Sequence, residues 1–400
     1  MTRYFVVLLV TATALLAAGQ SRPLHVIPAE LYRNAVWLPV SVNGSKPLSF
    51  ILDSAASRCV VARDAAERLD LHIVELGEMA DVSPAENKVR MAASPDVTFA
   101  VGASTVTTHA MVVPFEIPSE SWGKRFEGAI GYEWFAKYVV EVDFDGKRVI
   151  LYDPETYEYH GRGTTLPIQV KRQHPVTRVK IGVPGADPIE GDFAIDLGGT
   201  TSIVFNAPFV RQHDLIPAAR KMVPRLVDSP HIGIGGTGRR LLGRVQFVQM
   251  GPHRIETPIA GFSQAESGSL AGNDVAGFLG CNLLHRFNIV FDYKRQLVIL
   301  EPNSHFSDPP DEYDMSGIGL RARGENFSEF YVNSVAPESP AARAGIQTGD
   351  VLVAVDGKPV KGYLLLDVTT LLTQSGAERR LLVSRQGERR EFRLVLRKVL

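Results

Sequence analysis

Two aspartates occupy the same kind of position in this 400-residue chain. Asp53 closes the run Leu48-Ser49-Phe50-Ile51-Leu52 and is followed by Ser54-Ala55-Ala56-Ser57. Asp196 closes Phe193-Ala194-Ile195 and is followed by Leu197-Gly198-Gly199-Thr200. Each apolar run has the length of a strand, and the small residues behind each carboxylate predict a tight turn that backbone N–H groups can approach. One aspartate at a turn is ordinarily a turn former. Two that converge have another chemistry, because carboxylates about 3 Å apart cannot both ionise and one keeps a proton. The ionised member can take a proton from water while the protonated member donates to a carbonyl. That is general acid–base hydrolysis without a covalent intermediate.

Convergence requires the surrounding elements to repeat, and they do. Gly128-Ala129-Ile130-Gly131 leads to Val142-Asp143-Phe144 and Val149-Ile150-Leu151; Gly277-Phe278-Leu279-Gly280 leads to Phe291-Asp292-Tyr293 and Val298-Ile299-Leu300. Gly131 and Gly280, Asp143 and Asp292, and Leu151 and Leu300 all lie 149 positions apart. The two aspartates are 143 apart, so the second copy carries six more residues between its aspartate and its paired glycine. A period of this length belongs to whole domains, since solenoid repeats run to roughly 20–50 residues. Ahead of each aspartate an alternating strand (Leu38 to Val42, Val176 to Ile181) meets a turn with Gly44 or Gly182, and β-branched pairs, Val60-Val61 and Ile203-Val204, follow. Val97 to Val101, Val106 to Thr108 and Val245 to Met250 also read as strands, and Arg63 to Leu71 is the best helical candidate. The expectation is a mainly β protein with two homologous lobes, 20–160 and 161–302, about a pseudo-twofold axis.

These motifs resemble the aspartic peptidases, specifically the retropepsin-like lobes of bacterial exported proteins. Their pattern is Asp-(Ser/Thr)-Gly-(Ala/Ser) ending an apolar strand, then two apolar residues and a glycine later in the lobe. The resemblance covers roughly residues 30 to 302. It implies Asp53 and Asp196 as the catalytic pair, with Ser54, Ser57, Gly198 and Thr200 supporting them, and protein or peptide substrates. A glycine-rich hairpin flap is also implied; the candidate is Ile232 to Gly238, with Gly233, Gly235 and Gly236, while the first lobe shows no comparable cluster. The same stretch spells G-x-G-x-x-G, but a strand-like run and no helix pattern follows it, which argues against a dinucleotide site. Two departures stand out: Ala55 replaces a glycine, and Leu197 replaces the hydroxyl residue that braces the opposite lobe. Ser54 can form one arm of that brace and Leu197 cannot form the other, so a catalytically inactive peptide-binding protein on the same lobes is the alternative.

A polar, proline-rich stretch, 303–312, is read as a linker to a separate module, 313–400. Ser339-Pro340-Ala341-Ala342-Arg343-Ala344-Gly345-Ile346 reads as a short helix ended by glycine. Gly349-Asp350-Val351 to Asp356-Gly357 reads as a strand into a turn. This run is similar to the bacterial type of PDZ domain, a small α+β fold. The resemblance implies that Gly317-Ile318-Gly319-Leu320 receives a C-terminal carboxylate, the peptide adding as a strand against a helix within Tyr363 to Leu372.

Composition removes other mechanisms. Lys+Arg 43 against Asp+Glu 44 leaves no basic field for nucleic acid and gives no charge-based substrate preference. Two cysteines, Cys59 and Cys281, build neither a disulfide scaffold nor a four-cysteine zinc site, and the ten histidines show no H-E-x-x-H, so no metal or other cofactor is expected. Met1-Thr2-Arg3, the apolar run from Tyr4 and small residues at Ala17 and Gly19 fit a secretory leader over 1–19. A periplasmic or secreted monomer without stable membrane insertion follows, the alternative being an uncleaved N-terminal anchor.

Overall fold

The computed structural model describes residues 21–79, 88–223, 225–229, 231–234 and 236–400. The leader expected over 1–19 and Gly235 of the glycine hairpin lie outside the described residues. Among the described residues no helix is long and apolar enough to cross a membrane. The chain is mainly β, and its sheets explain how the two aspartates meet.

The first sheet has eight strands, with the Asp53 strand Leu48–Leu52 near its centre beside Gly128–Ile130. Leu52 lies beside Ile130 in parallel, and Val60–Ala62 runs antiparallel on the far side of that strand. The second sheet repeats this arrangement: Ile195, at the end of Ile189–Ile195, lies beside Leu279 in parallel, and Ile203–Phe205 runs antiparallel beyond Gly277–Leu279. Phe50, Ile51, Leu52, Phe193, Ala194 and Ile195 are all buried, which is why these strands are continuously apolar where an edge strand would alternate. The helix expected from Arg63 to Leu71 forms over Arg63–Arg68 and stops early, because Asp70 takes a left-handed φ of 51°.

A third sheet joins the halves. Its six strands run in the order His25–Pro28, Arg148–Tyr152, Val139–Asp143, Phe287–Asp292, Leu297–Pro302, Thr164–Pro167. At its centre Glu141 stands opposite Val290 in an antiparallel pair, and these two residues are 149 positions apart. An antiparallel ladder whose central partners are repeat equivalents places a local twofold axis through that pair.

The last module has its own sheet, with Ile318–Arg323 at one edge, then Glu329–Val335, Val351–Val355, Glu378–Arg385 and Glu388–Val395. Its core gathers Ile318, Phe330, Leu352, Leu365 and Val368. Ser339 caps helix Pro340–Ala344 by accepting the Ala342 N–H at 3.1 Å, and Gly345 ends it with a φ of 90°. The stretch expected to be a linker is strapped down. The Arg286 guanidinium donates to the carbonyls of Asp308 at 2.6 Å and Pro309 at 2.8 Å, and Arg244 donates to that of Asp311 at 2.7 Å. Its prolines rule out regular secondary structure there, and that does not prevent tertiary contact.

Candidate active site

Both aspartate loops hang from the same backbone bonds. Asp53 N–H donates to the Ile130 carbonyl at 2.9 Å, and Asp196 N–H to that of Leu279 at 2.8 Å. Tyr132 N–H donates to the Ala56 carbonyl at 3.0 Å, and Cys281 N–H to that of Gly199 at 2.6 Å. The carboxylates are then gripped by amides. Ala55 N–H donates to Asp53 Oδ1 at 2.8 Å; Gly198 and Gly199 N–H donate to Asp196 Oδ1 at 2.8 and 3.0 Å. A Cβ placed on Gly198 would stand 2.4 Å from the Asp53 carboxyl carbon, so the Asp53 carboxylate abuts the loop that carries Asp196.

Burial pushes the Asp53 carboxyl above the ordinary range, against the pull of the Ala55 and Ala56 amides. Asp196 is raised further, because burial is joined by the negative charge of Asp53. The pair therefore binds one proton more tightly than isolated aspartates would.

The brace beneath them has one arm. Ser54, fully buried, donates its hydroxyl to the Ile195 carbonyl at 2.6 Å and accepts the Leu197 N–H at 3.1 Å. Leu197 is buried, and its alkyl side chain returns no hydrogen bond. Its carbonyl instead receives the thiol of Cys281 at 3.0 Å. Burial and the two aspartates push that thiol well above its usual range, so it acts as a proton donor and is no nucleophile. Ser54→Ala should strand two buried backbone groups and destabilise the protein by about 1–3 kcal/mol, which chemical denaturation would measure. Ser57 and Thr200 line the cleft above and make no hydrogen bond to either carboxylate; support comes from Ser54 and the backbone of Ala55, Gly198 and Gly199.

Asp53 and Asp196 share the floor of one cleft of about 1650 Å³ with walls from both halves. Phe115, Trp122, Met111, Ile232 and Phe278 supply apolar lining. The glycine hairpin pairs His231–Gly233 with Gly236–Gly238 at the cleft wall. Buried Arg240 ties it to the Asp196 loop by donating to the Ser229 carbonyl and to Thr201 Oγ1, both at 3.0 Å. The first half has a hairpin that sequence reading missed, Val74–Met79 against Val89–Val101, whose exposed Leu76 and Met79 face the same cleft. It carries no glycine cluster; its sequence signal is three large apolar residues, Val74, Leu76 and Met79, set among Glu75, Gly77 and Glu78.

In the last module, Gly317 takes a φ of 79° and donates its N–H to Asp314 Oδ2 at 2.6 Å, while Ile318 N–H donates to Ser316 Oγ at 3.0 Å. Gly319 and Leu320 continue into the edge strand Ile318–Arg323. Helix Glu116–Trp122 of the first half packs on that strand, and a Cβ on Gly123, its left-handed C-cap, would stand 2.6 Å from Leu365 Cβ and 3.4 Å from Ala322 Cβ. Glu120 accepts the Tyr331 hydroxyl at 3.0 Å, and Arg321 lies 4.0 Å from it. Elsewhere among the described residues, one group of metal-ligand types, His285, His305 and Asp308, brings its atoms within 4.8 Å, knit by a 2.8 Å contact from His305 Nδ1 to Asp308.

Residues 38–134 match the aspartyl protease family, and residues 331–386 match the PDZ domain family. The chain carries an aspartyl protease domain and a PDZ domain. The aspartyl protease match takes in Asp53 and ends just past the Gly128–Ile130 strand. Among curated proteins, the chain is 36% identical over 84 residues to the Regulator of sigma-E protease RseP of Escherichia coli (strain K12), covering 21% of this chain and 18% of that protein. It is 43% identical over 60 residues to the chloroplastic C-terminal processing peptidase of Tetradesmus obliquus, covering 14% of this chain and 13% of that one. A solved photosystem II D1 C-terminal processing protease is 32% identical over 22% of this chain and 24% of its own, with a TM-score of 0.21. The chain thus spans less than a fifth of the length of these two curated relatives.

Proposed function

We propose that this protein is an exported aspartic endopeptidase in which both β halves are peptidase lobes and Asp53 and Asp196 form the catalytic dyad. The observation that carries the reading is one amide-gripped carboxylate from each half on the floor of a single cleft. The pair shares one proton, held more strongly at Asp196. Asp53 takes a proton from the attacking water, and Asp196 donates to the scissile carbonyl oxygen. The tetrahedral intermediate collapses as a proton passes to the leaving nitrogen, giving one new carboxyl and one new amine. The substrate lies extended beneath the two hairpins, and the PDZ domain binds a peptide or a protein C-terminus. Export rests on the leader at 1–19; N-terminal sequencing of the mature protein beginning near residue 20 would support it, and an intact Met1 would favour the anchored form.

The pH profile tests the dyad. Hydrolysis should be bell-shaped, lost in acid when both carboxyls are protonated and in alkali when the shared proton leaves. Because burial raises both groups and the charge of Asp53 raises Asp196 further, the optimum should move up from the pH of about 4 at which an ordinary aspartate titrates, toward neutrality. A sigmoid profile or an optimum below pH 4 would contradict it.

One observation favours a second reading: the missing brace arm at Leu197 leaves the dyad less firmly held than in the resembled family. A silent peptide-binding protein would bind statine peptides in the cleft and hydrolyse nothing across pH 3–8.

A further inference from the structure

The net charge of −1 conceals an unbalanced cleft. Four acidic residues line it: Asp53, Asp196, Glu266 and Asp274. The last two are already engaged, Glu266 with Arg239 at 3.0 Å and Asp274 with Arg172 at 2.9 Å. Three arginines lining the same cleft have no acidic partner among the described residues, and of these Arg240 is taken up by the Ser229 carbonyl and Thr201 Oγ1, which leaves Arg33 and Arg58.

Their placement is built in. Arg33-Asn34 and Arg172-Gln173 are both two-residue hairpin loops with positive φ (53° and 62°; 47° and 66°), and the two arginines lie 139 positions apart. The repeat therefore presents one arginine to the cleft from each half, through a turn whose backbone twist fits the flanking strands. In the second half Asp274 neutralises it. In the first half Arg33 Nε is buried with no acceptor, while its neighbour Asn34 donates across to Asn282 at 3.0 Å. A buried guanidinium N–H lacking an acceptor is costly, and a carboxylate is the acceptor whose geometry fits it best. Arg58, exposed, stands five residues beyond Asp53 on the same loop, and so within a few substrate residues of the scissile bond.

We propose that Arg33 and Arg58 form acid-selective subsites, so that the cleft prefers polypeptides with Asp or Glu flanking the cleaved bond. This rests on the peptidase reading and assigns its substrate class. The test scans Glu against Gln at four positions on either side of the bond in quenched-fluorescent peptides. The ratio is read twice, as kcat/KM with wild type and as Kd with the Asp196→Asn variant. Absence of cleavage would thus count against the peptidase reading and leave the preference measurable. At one position or more Glu should win by about tenfold in 50 mM salt, with the ratio shrinking in 500 mM. Arg33→Gln or Arg58→Gln should bring the ratio at its position to near one, and Lys at the same place should restore part of it. Equal handling of Glu and Gln by wild type, or a preference that survives both Gln variants, overturns the proposal.

A separate observation carries a second inference. Helix Glu116–Trp122 lines the cleft through Pro118, Ser121 and Trp122, while its C-cap Gly123 and Glu120 dock on the PDZ edge strand Ile318–Arg323, Tyr331 and the helix Leu365–Leu371. That is the edge along which a PDZ peptide would add. We infer that helix Glu116–Trp122 and a peptide compete for the PDZ edge, so that peptide binding shifts one wall of the cleft. The probe is a fluorescein-labelled peptide pool with free apolar C-termini, compared with its amidated counterpart. Glu120→Lys, which sets a cation against Arg321, should tighten binding of the free-carboxylate pool about tenfold. The pool should also speed amide exchange over 116–123 in wild type. Unchanged affinity in the variant together with unchanged exchange overturns the inference.

Discussion

Asp196→Asn is expected to lower kcat on an unfolded protein at least about a thousandfold, and Asp53→Asn to do the same, because each removes one half of a proton exchange that neither can perform alone. The stability of these variants should move the other way. The two carboxyls are raised above their unfolded values, so the wild-type dyad contributes stability fully at acid pH and loses it as pH rises through the raised range. An amide does not ionise, so Asp196→Asn should melt progressively higher than wild type as pH goes from 4 to 8, by about 2–4 °C per kcal/mol relieved. A variant that lost both activity and melting temperature would indicate a damaged fold. Activity lost with stability gained at neutral pH is the signature of a strained catalytic pair.

Gly198→Ala is the second large effect. The added Cβ would stand 2.4 Å from the Asp53 carboxyl carbon and 2.4 Å from Oδ2, inside any real contact distance. The Asp196 loop cannot withdraw without losing the Gly198 and Gly199 amides from Asp196, so the variant should separate the carboxylates. Hydrolysis should fall more than about a hundredfold, and what remains should lose the steep two-sided pH profile. Its position in the repeat corresponds to Ala55, where the chain already carries the methyl group. The two halves therefore differ in what they tolerate: the first loop already holds a methyl group at the position where the second presses its backbone on the partner carboxylate.

Much of this was legible in the residues. The aspartates, their strands and the small residues behind them follow from local pattern, and the 149-residue spacing recurs between Glu141 and Val290, which stand opposite one another in the joining sheet. The PDZ run from Ser339 to Gly357 folds as its helix cap and turn suggest. What was hidden depends on contacts between distant segments. The arginine turns share a 139-residue spacing that differs from both spacings visible in the sequence, and their neighbours, Tyr32 and Lys171 or Ala35 and His174, have nothing in common. A near-zero net charge gave no hint that Arg33 and Arg58 stand uncompensated in the cleft, because the balance is struck over the whole surface and the cleft samples only part of it. The seat of Gly123 against Leu365 and the strapping of 303–312 by Arg286 and Arg244 depend on tertiary approach that no local propensity encodes.

The most direct test is to incubate the purified full chain with an unfolded protein in water enriched in oxygen-18 across pH 3–8, beside the Asp53→Asn and Asp196→Asn variants. Water activated by the dyad predicts wild-type cleavage with one heavy oxygen in each new C-terminal carboxyl, a bell-shaped pH dependence, block by a statine peptide, and none of this in either variant. Wild type that cleaves nothing anywhere in that range, or cleavage that persists in both variants, would contradict it.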